Sequence, residues 1–177
     1  RLLFLLALIA CAPAPAEYSD FSERVEQVSS ADFHVAEHSA VRARYVRLTT
    51  EEGRGYLERS LVNRQDYPEI RAAIAERGLP AQLEAVAFVE SGFSNIPARP
   101  PERPAAGLWQ FSPETARTYG LIVDEQGDES LVRKKSTDAA LWLLVDLHAS
   151  LGDWGAAFAG CDVGERRVRE VMEEQET

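Results

Sequence analysis

Apolar residues recur along this chain at three- and four-residue intervals, the period of amphipathic helices. Phe21, Val25 and Val28 share one helical face, and Val41, Tyr45 and Leu48 form a second stripe. Thr49-Thr50-Glu51-Glu52 has the character of a helix start, and the segment after it carries Tyr56, Leu57, Leu61 and Val62. Pro68 at a first helical position opens another helix, with Ile70, Ala73 and Ile74 directed inward and Gly78 as its C-terminal stop. No strand-like alternation competes, so residues 18–79 read as a helical lead-in.

Pro80 marks a further first helical position. Leu83, Val86, Ala87 and Glu90 follow at helical spacing, with Phe88 and Val89 on the adjoining faces. A helix apolar around most of its circumference is central and buried. Glu90 ends that run, and partial desolvation favours the neutral form of a carboxyl group, the form that donates a proton. From the pattern alone, such an acid is either a solvated helix end or the proton donor of a cleft. A Pro- and Arg-rich loop follows, then Ala106-Gly107-Leu108-Trp109-Gln110-Phe111 and a helix start at Ser112-Pro113-Glu114-Thr115. Further on, Ser136-Thr137-Asp138 is expected to cap a helix with the stripe Ala140, Leu144 and Leu147, closed by Gly152. Asp153 caps the next, from Trp154 to about Ala159. The fold class is all-α.

Composition narrows the partners. Of 177 residues 45% are hydrophobic and 27% charged, a globular balance. The formal net charge is −10, and the Lys and Arg residues form no basic run, which argues against nucleic acid as a partner.

The N-terminus has a separate logic. Arg1 is followed by nine apolar residues, Leu2 to Ala10, and then Cys11. This is far short of the roughly 20 residues that span a bilayer, and it fits the apolar region of an export signal. Leu8-Ile9-Ala10-Cys11 resembles a bacterial lipobox, in which the cysteine is acylated, and Ala12-Pro13-Ala14-Pro15-Ala16 suits a tether. The alternative is an ordinary signal peptide cleaved near Ala14 or Ala16. Either way residues 1–17 stand apart from the fold, and the expected location is the bacterial cell envelope, with a lipid anchor at Cys11 joining the chain to a membrane.

His34-Val35-Ala36-Glu37-His38 formally matches an inverted zinc-peptidase signature. The one other histidine is His148, and the flanking sequence is weakly amphipathic. A solvated helix face is the plainer reading, and no metal site is assigned.

Glu90-Ser91-Gly92-Phe93, Ala106 to Phe111, Pro113, Thr115-Ala116 and Tyr119-Gly120-Leu121 together resemble the lytic murein transglycosylases of the goose-type-lysozyme superfamily, most nearly the membrane-bound D type. The likeness runs in order from about residue 56 to 171. It includes Arg59-Ser60, Tyr67-Pro68-Glu69-Ile70, Ser136-Thr137, Ala139-Ala140, Gly152-Asp153-Trp154, Gly164 and Val168. It implies a lysozyme-like helical domain (the SLT domain) over residues 80–172. It also implies cleavage of the β-1,4 bond between N-acetylmuramic acid and N-acetylglucosamine in peptidoglycan, without cofactor or metal. The catalytic acid would be Glu90. It would protonate the glycosidic oxygen, and its carboxylate would then take the C6 hydroxyl proton as a 1,6-anhydro ring closes, a substrate-assisted route needing no second carboxylate.

Substrate-binding candidates follow from that resemblance. Ser91 could orient the Glu90 carboxyl group, and Gly107 would allow a tight turn along a sugar groove. Gln110 offers a donor and an acceptor. Phe111, like Trp109, is either a sugar platform or core, and Tyr119 is either packing or cleft wall. One departure stands out. Where the family reads Ala-Tyr-Asn-x-Gly, this chain has Gly160-Cys161-Asp162-Val163-Gly164. Cys161 replaces a tyrosine hydroxyl with a weakly bonding thiol. An anionic Asp162 facing the cleft would favour the protonated form of Glu90. The departure leaves two alternatives: a catalytically impaired peptidoglycan-binding module, and a lysozyme-type hydrolase with Asp162 as its second carboxylate.

Overall fold

The computed structural model describes residues 47, 48, 50–65 and 67–175. The export and lipidation segment with Cys11, the stripes from Phe21 to Tyr45, and the His34/His38 motif lie outside the described residues. Among those described, seven α-helices and two 3-10 turns carry the fold, and β-structure is limited to isolated bridges. The helices are α1 Glu51–Gln65, α2 Pro68–Glu76, α3 Glu84–Ser91, α4 Pro113–Thr118, α5 Arg133–Leu151, α6 Trp154–Val163 and α7 Glu165–Gln175. No described helix is long and apolar enough to cross a membrane. The all-α expectation holds. The described residues fall into two compact units, Gly55–Leu143 and the remainder.

Within Gly55–Leu143 the core is built on α3. Leu83, Ala85, Val86, Ala87 and Phe88 are all buried. Full burial of a side chain such as Leu or Phe contributes about 2 kcal/mol, so this short helix is held by packing rather than by propensity. Pro80 precedes a 3-10 turn, Ala81–Leu83, which runs directly into α3. The helix therefore starts later than the proline suggests. α2 meets its expectation: Ile70 and Ile74 are 1% and 2% exposed, and Gly78 takes the left-handed conformation at its end.

α1 differs from its expected face. Leu57 and Ser60 are buried, while Val62 is 62% exposed and Leu61 36%. The inward face is the line 57, 60, 64, and it is largely polar. Ser60 bonds back to the Tyr56 carbonyl, and Arg64 at the end of α1 answers a buried acid, Glu84, which is 4% exposed. Arg64 Nε lies 3.2 Å from Oε2, and Arg71 approaches the same oxygen at 3.7 Å. A buried carboxylate requires such a partner.

α5 begins at Arg133, three residues before the expected cap. The 3-10 turn Glu129–Leu131 leads into it, with Asp128 accepting from the Ser130 amide at 2.9 Å. Ser136 is buried inside the helix, and its hydroxyl bonds back to the Arg133 carbonyl at 3.2 Å.

In the other unit, Asp153 caps α6 by accepting from the Ala156 amide at 2.8 Å. α6 continues past Ala159 to Val163, so Cys161 and Asp162 are helical. Gly160 does not end the helix, because its missing side chain admits the α5 residue Leu147. A Cβ there would lie 3.1 Å from Leu147 Cδ2. Gly164, at φ +84°, provides the stop. Glu165 of α7 bonds to Ser150 and Arg169, at 2.5 and 2.7 Å, which holds its carboxyl below the usual range.

Candidate active site

Glu90 is the penultimate residue of α3 and is half-buried, bordering the apolar body of that helix while keeping access to solvent. Three sets of contacts fix the end of α3. The Tyr56 hydroxyl of α1 donates to the Phe88 carbonyl at 3.1 Å, with the two rings 5.5 Å apart. Asn63, also on α1, donates to the Gly92 carbonyl at 3.1 Å and to Ser94 Oγ at 3.0 Å. Gly92 closes the helix in the left-handed region, at φ +59°, where a Cβ would lie 2.8 Å from Ser60 Oγ. A concave surface lined in part by Tyr56, Arg59, Asn63 and Ser94 opens beside this junction.

The third contact comes from Ser91. Its buried hydroxyl lies 2.7 Å from the Leu108 carbonyl and 3.0 Å from that of Ala87, and it accepts from the Ser94 amide at 3.2 Å. Ser91 thus joins the residue after Glu90 to the Gly107–Phe111 turn. The hydroxyl's bonds to Ala87, Leu108 and Ser94 are all to backbone, so it positions the segment around Glu90.

That turn is compact and strained. Ala106 and Phe111 exchange backbone hydrogen bonds of 3.0 Å in both directions, and the Gly107 amide donates to Ile96 at 2.7 Å. Gly107 sits at φ +85°, and a Cβ there would lie 2.0 Å from the Ser130 carbonyl oxygen. No other residue fits. Gln110 has φ +49°, in a region unfavourable to side chains, and its Nε2 donates to the Gly107 carbonyl at 2.6 Å. The amide so spends a donor on closing its own turn, and its Oε1 remains available as an acceptor. Trp109 and Phe111 are 6% and 4% exposed, and the indole donates to Thr137 Oγ1 at 3.1 Å. Both rings are core.

Ser112 caps α4 by accepting from the Thr115 amide at 3.1 Å, and half-buried Tyr119 stands at the helix C-terminus before Gly120. Cys161 and Asp162 belong to the other unit, the thiol half-buried and the carboxylate exposed. His148, the one described histidine, stacks on Trp154 with centroids 4.0 Å apart. No group of three or more metal-ligating side chains is gathered among the described residues.

Of Tyr56, Ser60 and Asn63, periodicity picked out Tyr56 only as an apolar position and did not single out the other two. Their signal is the spacing i, i+4, i+7 of three hydrogen-bonding side chains on one helix, which an apolar-stripe reading passes over.

An acid stands at the end of a buried helix, and the adjacent serine bonds to a glycine-led turn. The Transglycosylase SLT domain family model matches residues 68–177, more than half of the chain. The chain belongs to the SLT transglycosylase domain family. It is 34% identical over 104 residues to membrane-bound lytic murein transglycosylase D of Escherichia coli strain K12, covering 58% of this chain and 23% of that protein. The same figures hold for the protein of that name from Escherichia coli O6:H1. A protein of Alteromonas sp. (strain M-1), named for tributyltin chloride resistance, is also 34% identical, over 96 residues that cover 54% of this chain and 45% of that protein. The chain thus matches about a quarter of the length of the Escherichia coli relatives. Within the matched residues, α3 and the turn after Ala106 carry the candidate site.

Proposed function

We propose that this SLT domain is a lytic transglycosylase that cleaves peptidoglycan glycan strands without hydrolysis, with Glu90 as its single general acid and base. The observation that carries the reading is the half-buried Glu90 at the end of α3, coupled through Ser91 to the Gly107–Phe111 turn. The protonated carboxyl group gives its proton to the oxygen between N-acetylmuramic acid and N-acetylglucosamine, and the C1–oxygen bond breaks. The carbonyl oxygen of the substrate's own acetamido group stabilises the cation at C1. The Glu90 carboxylate then takes the C6 hydroxyl proton, and O6 bonds to C1 to give the 1,6-anhydro product. The proton account closes on one residue, and neither water nor a cofactor enters.

Gln110 Oε1, open as an acceptor, is suited to the N–H of that acetamido group. Gly107 gives the turn its close backbone approach, and Tyr119 forms cleft wall. Phe111 supports the turn from beneath. Export and acylation at Cys11 would place the domain in the cell envelope, beside its polymer. The signal-like residues 1–17 and the membrane-bound character in the relatives' name support this.

The test is digestion of purified sacculi with wild type and Glu90→Gln, products identified by mass spectrometry. Anhydromuramyl products that fall about 10³-fold in the variant support the reading, a loss in the range for general acid–base residues. Reducing-end products lost in Asp162→Asn would mean a hydrolase. Binding without products would mean a glycan-binding module.

A further inference from the structure

We infer that Arg99 and Arg103 form a paired-guanidinium clamp for the free carboxylates of peptidoglycan stem peptides, a site that rests on the peptidoglycan reading above.

The two residues face each other in an isolated antiparallel bridge. The Arg99 amide donates to the Arg103 carbonyl at 2.6 Å, and the Arg103 amide donates back at 2.8 Å. A pair that exchanges both hydrogen bonds places its side chains on the same face. Two like charges directly opposite one another are destabilising unless an anion lies between them. The protein supplies none, for neither guanidinium forms an ion pair among the described residues, Glu102 at the loop tip included. Arg103 is steadied by donating from Nη2 to the Pro97 carbonyl at 2.8 Å, and the Arg99 guanidinium makes no hydrogen bond among the described residues. Both are exposed. In a chain of net charge −10, an opposed cationic pair is a local exception.

Its location ties it to the site. The hairpin leaves the end of α3 after Glu90 and returns at Gly107. Its base is closed by the Ile96–Gly107 bridge, next to the turn that Ser91 holds. Arg99 is three residues beyond Ile96, within roughly 10 Å of that bridge along an extended chain. A glycan strand in a cleft at Glu90 carries peptide stems on its muramic acid units, and those stems present carboxylates. Guanidinium groups bind carboxylates in a planar, two-pronged geometry that ammonium groups cannot reproduce. The clamp would therefore favour strands that still bear stems.

The experiment is co-sedimentation of the full 177-residue chain with intact sacculi and with sacculi stripped of stems by an amidase, beside released anhydro product. Arg99→Ser/Arg103→Ser is expected to weaken binding to intact sacculi about fivefold, the worth of two exposed charge-assisted contacts, and to leave binding to stripped sacculi unchanged. Arg99→Lys/Arg103→Lys should fall between the two. The two bridge bonds are backbone bonds and only the Arg103–Pro97 side-chain bond is lost, so each variant should remain folded by circular dichroism. Equal weakening on both polymers, or no change on either, overturns the clamp. Wild type that binds in a stem-dependent way yet releases no product overturns the catalytic reading and leaves the clamp supported.

Discussion

The Ser91 hydroxyl stands 2.7 Å from the Leu108 carbonyl, and this bond joins the helix that ends in Glu90 to the turn that carries Gly107 and Gln110. Two segments 17 residues apart in sequence become one rigid unit through it. Ser91→Ala would leave a buried carbonyl without its donor, at a cost of about 1–3 kcal/mol. The turn would then drift relative to Glu90, and small misplacements cost rate steeply, so kcat should fall roughly tenfold or more. Denaturant unfolding and product release from sacculi, read together, check both.

Gly107 is needed for two reasons, its positive φ and the Ser130 carbonyl 2.0 Å from where a Cβ would stand. Gly107→Ala is expected to lose at least about 2–3 kcal/mol, because backbone must shift to make room. Gly120 has a similar φ of +80°, but nothing lies within 4 Å of its Cβ position. Gly120→Ala should cost only the conformational term, about 1–2 kcal/mol. The difference between the two melts isolates the clash.

Glu84 is buried and Arg64 is its principal partner. Arg64→Met strands that charge and should destabilise by about 3 kcal/mol, the low end for a broken buried pair because Arg71 remains at 3.7 Å. Arg64→Met/Glu84→Leu should recover most of the loss. A double-mutant cycle by urea unfolding gives the coupling, and a double variant no more stable than the single would refute the account.

Glu129 accepts from the Ile122 amide at 2.9 Å and pairs with Lys135, which together hold its carboxyl below the usual range. A depressed folded-state value means that the native form binds this proton less readily than the unfolded chain. The stabilisation is therefore complete above the unfolded value, about 4.3, and disappears as pH falls through the lower folded value. Glu129→Gln should be less stable than wild type at pH 7 and equal to it once both carboxyl states are protonated. Thermal melts from pH 7 down to 2.5 would show the two curves converging.

Much of the fold was legible because its signals are local. Pro68 with Ile70 and Ile74, Ser112 before Pro113, and Asp153 before Trp154 each depend on residues within one or two helical turns. The apolar circumference of α3 likewise announced a buried helix with Glu90 at its end. What required tertiary structure was every feature that depends on a partner far along the chain. Arg64 turns inward on α1 because Glu84, 20 residues beyond it, is buried there. Trp109 is core because its indole finds Thr137, 28 residues away. The sequence by itself determined the all-α class and pointed to Glu90 as the candidate acid. Only the tertiary structure decided that Ser91 bonds to the turn's backbone and that Gly107 is pressed against Ser130, because hydrogen bonds and steric exclusion between distant segments leave no periodic trace in a sequence.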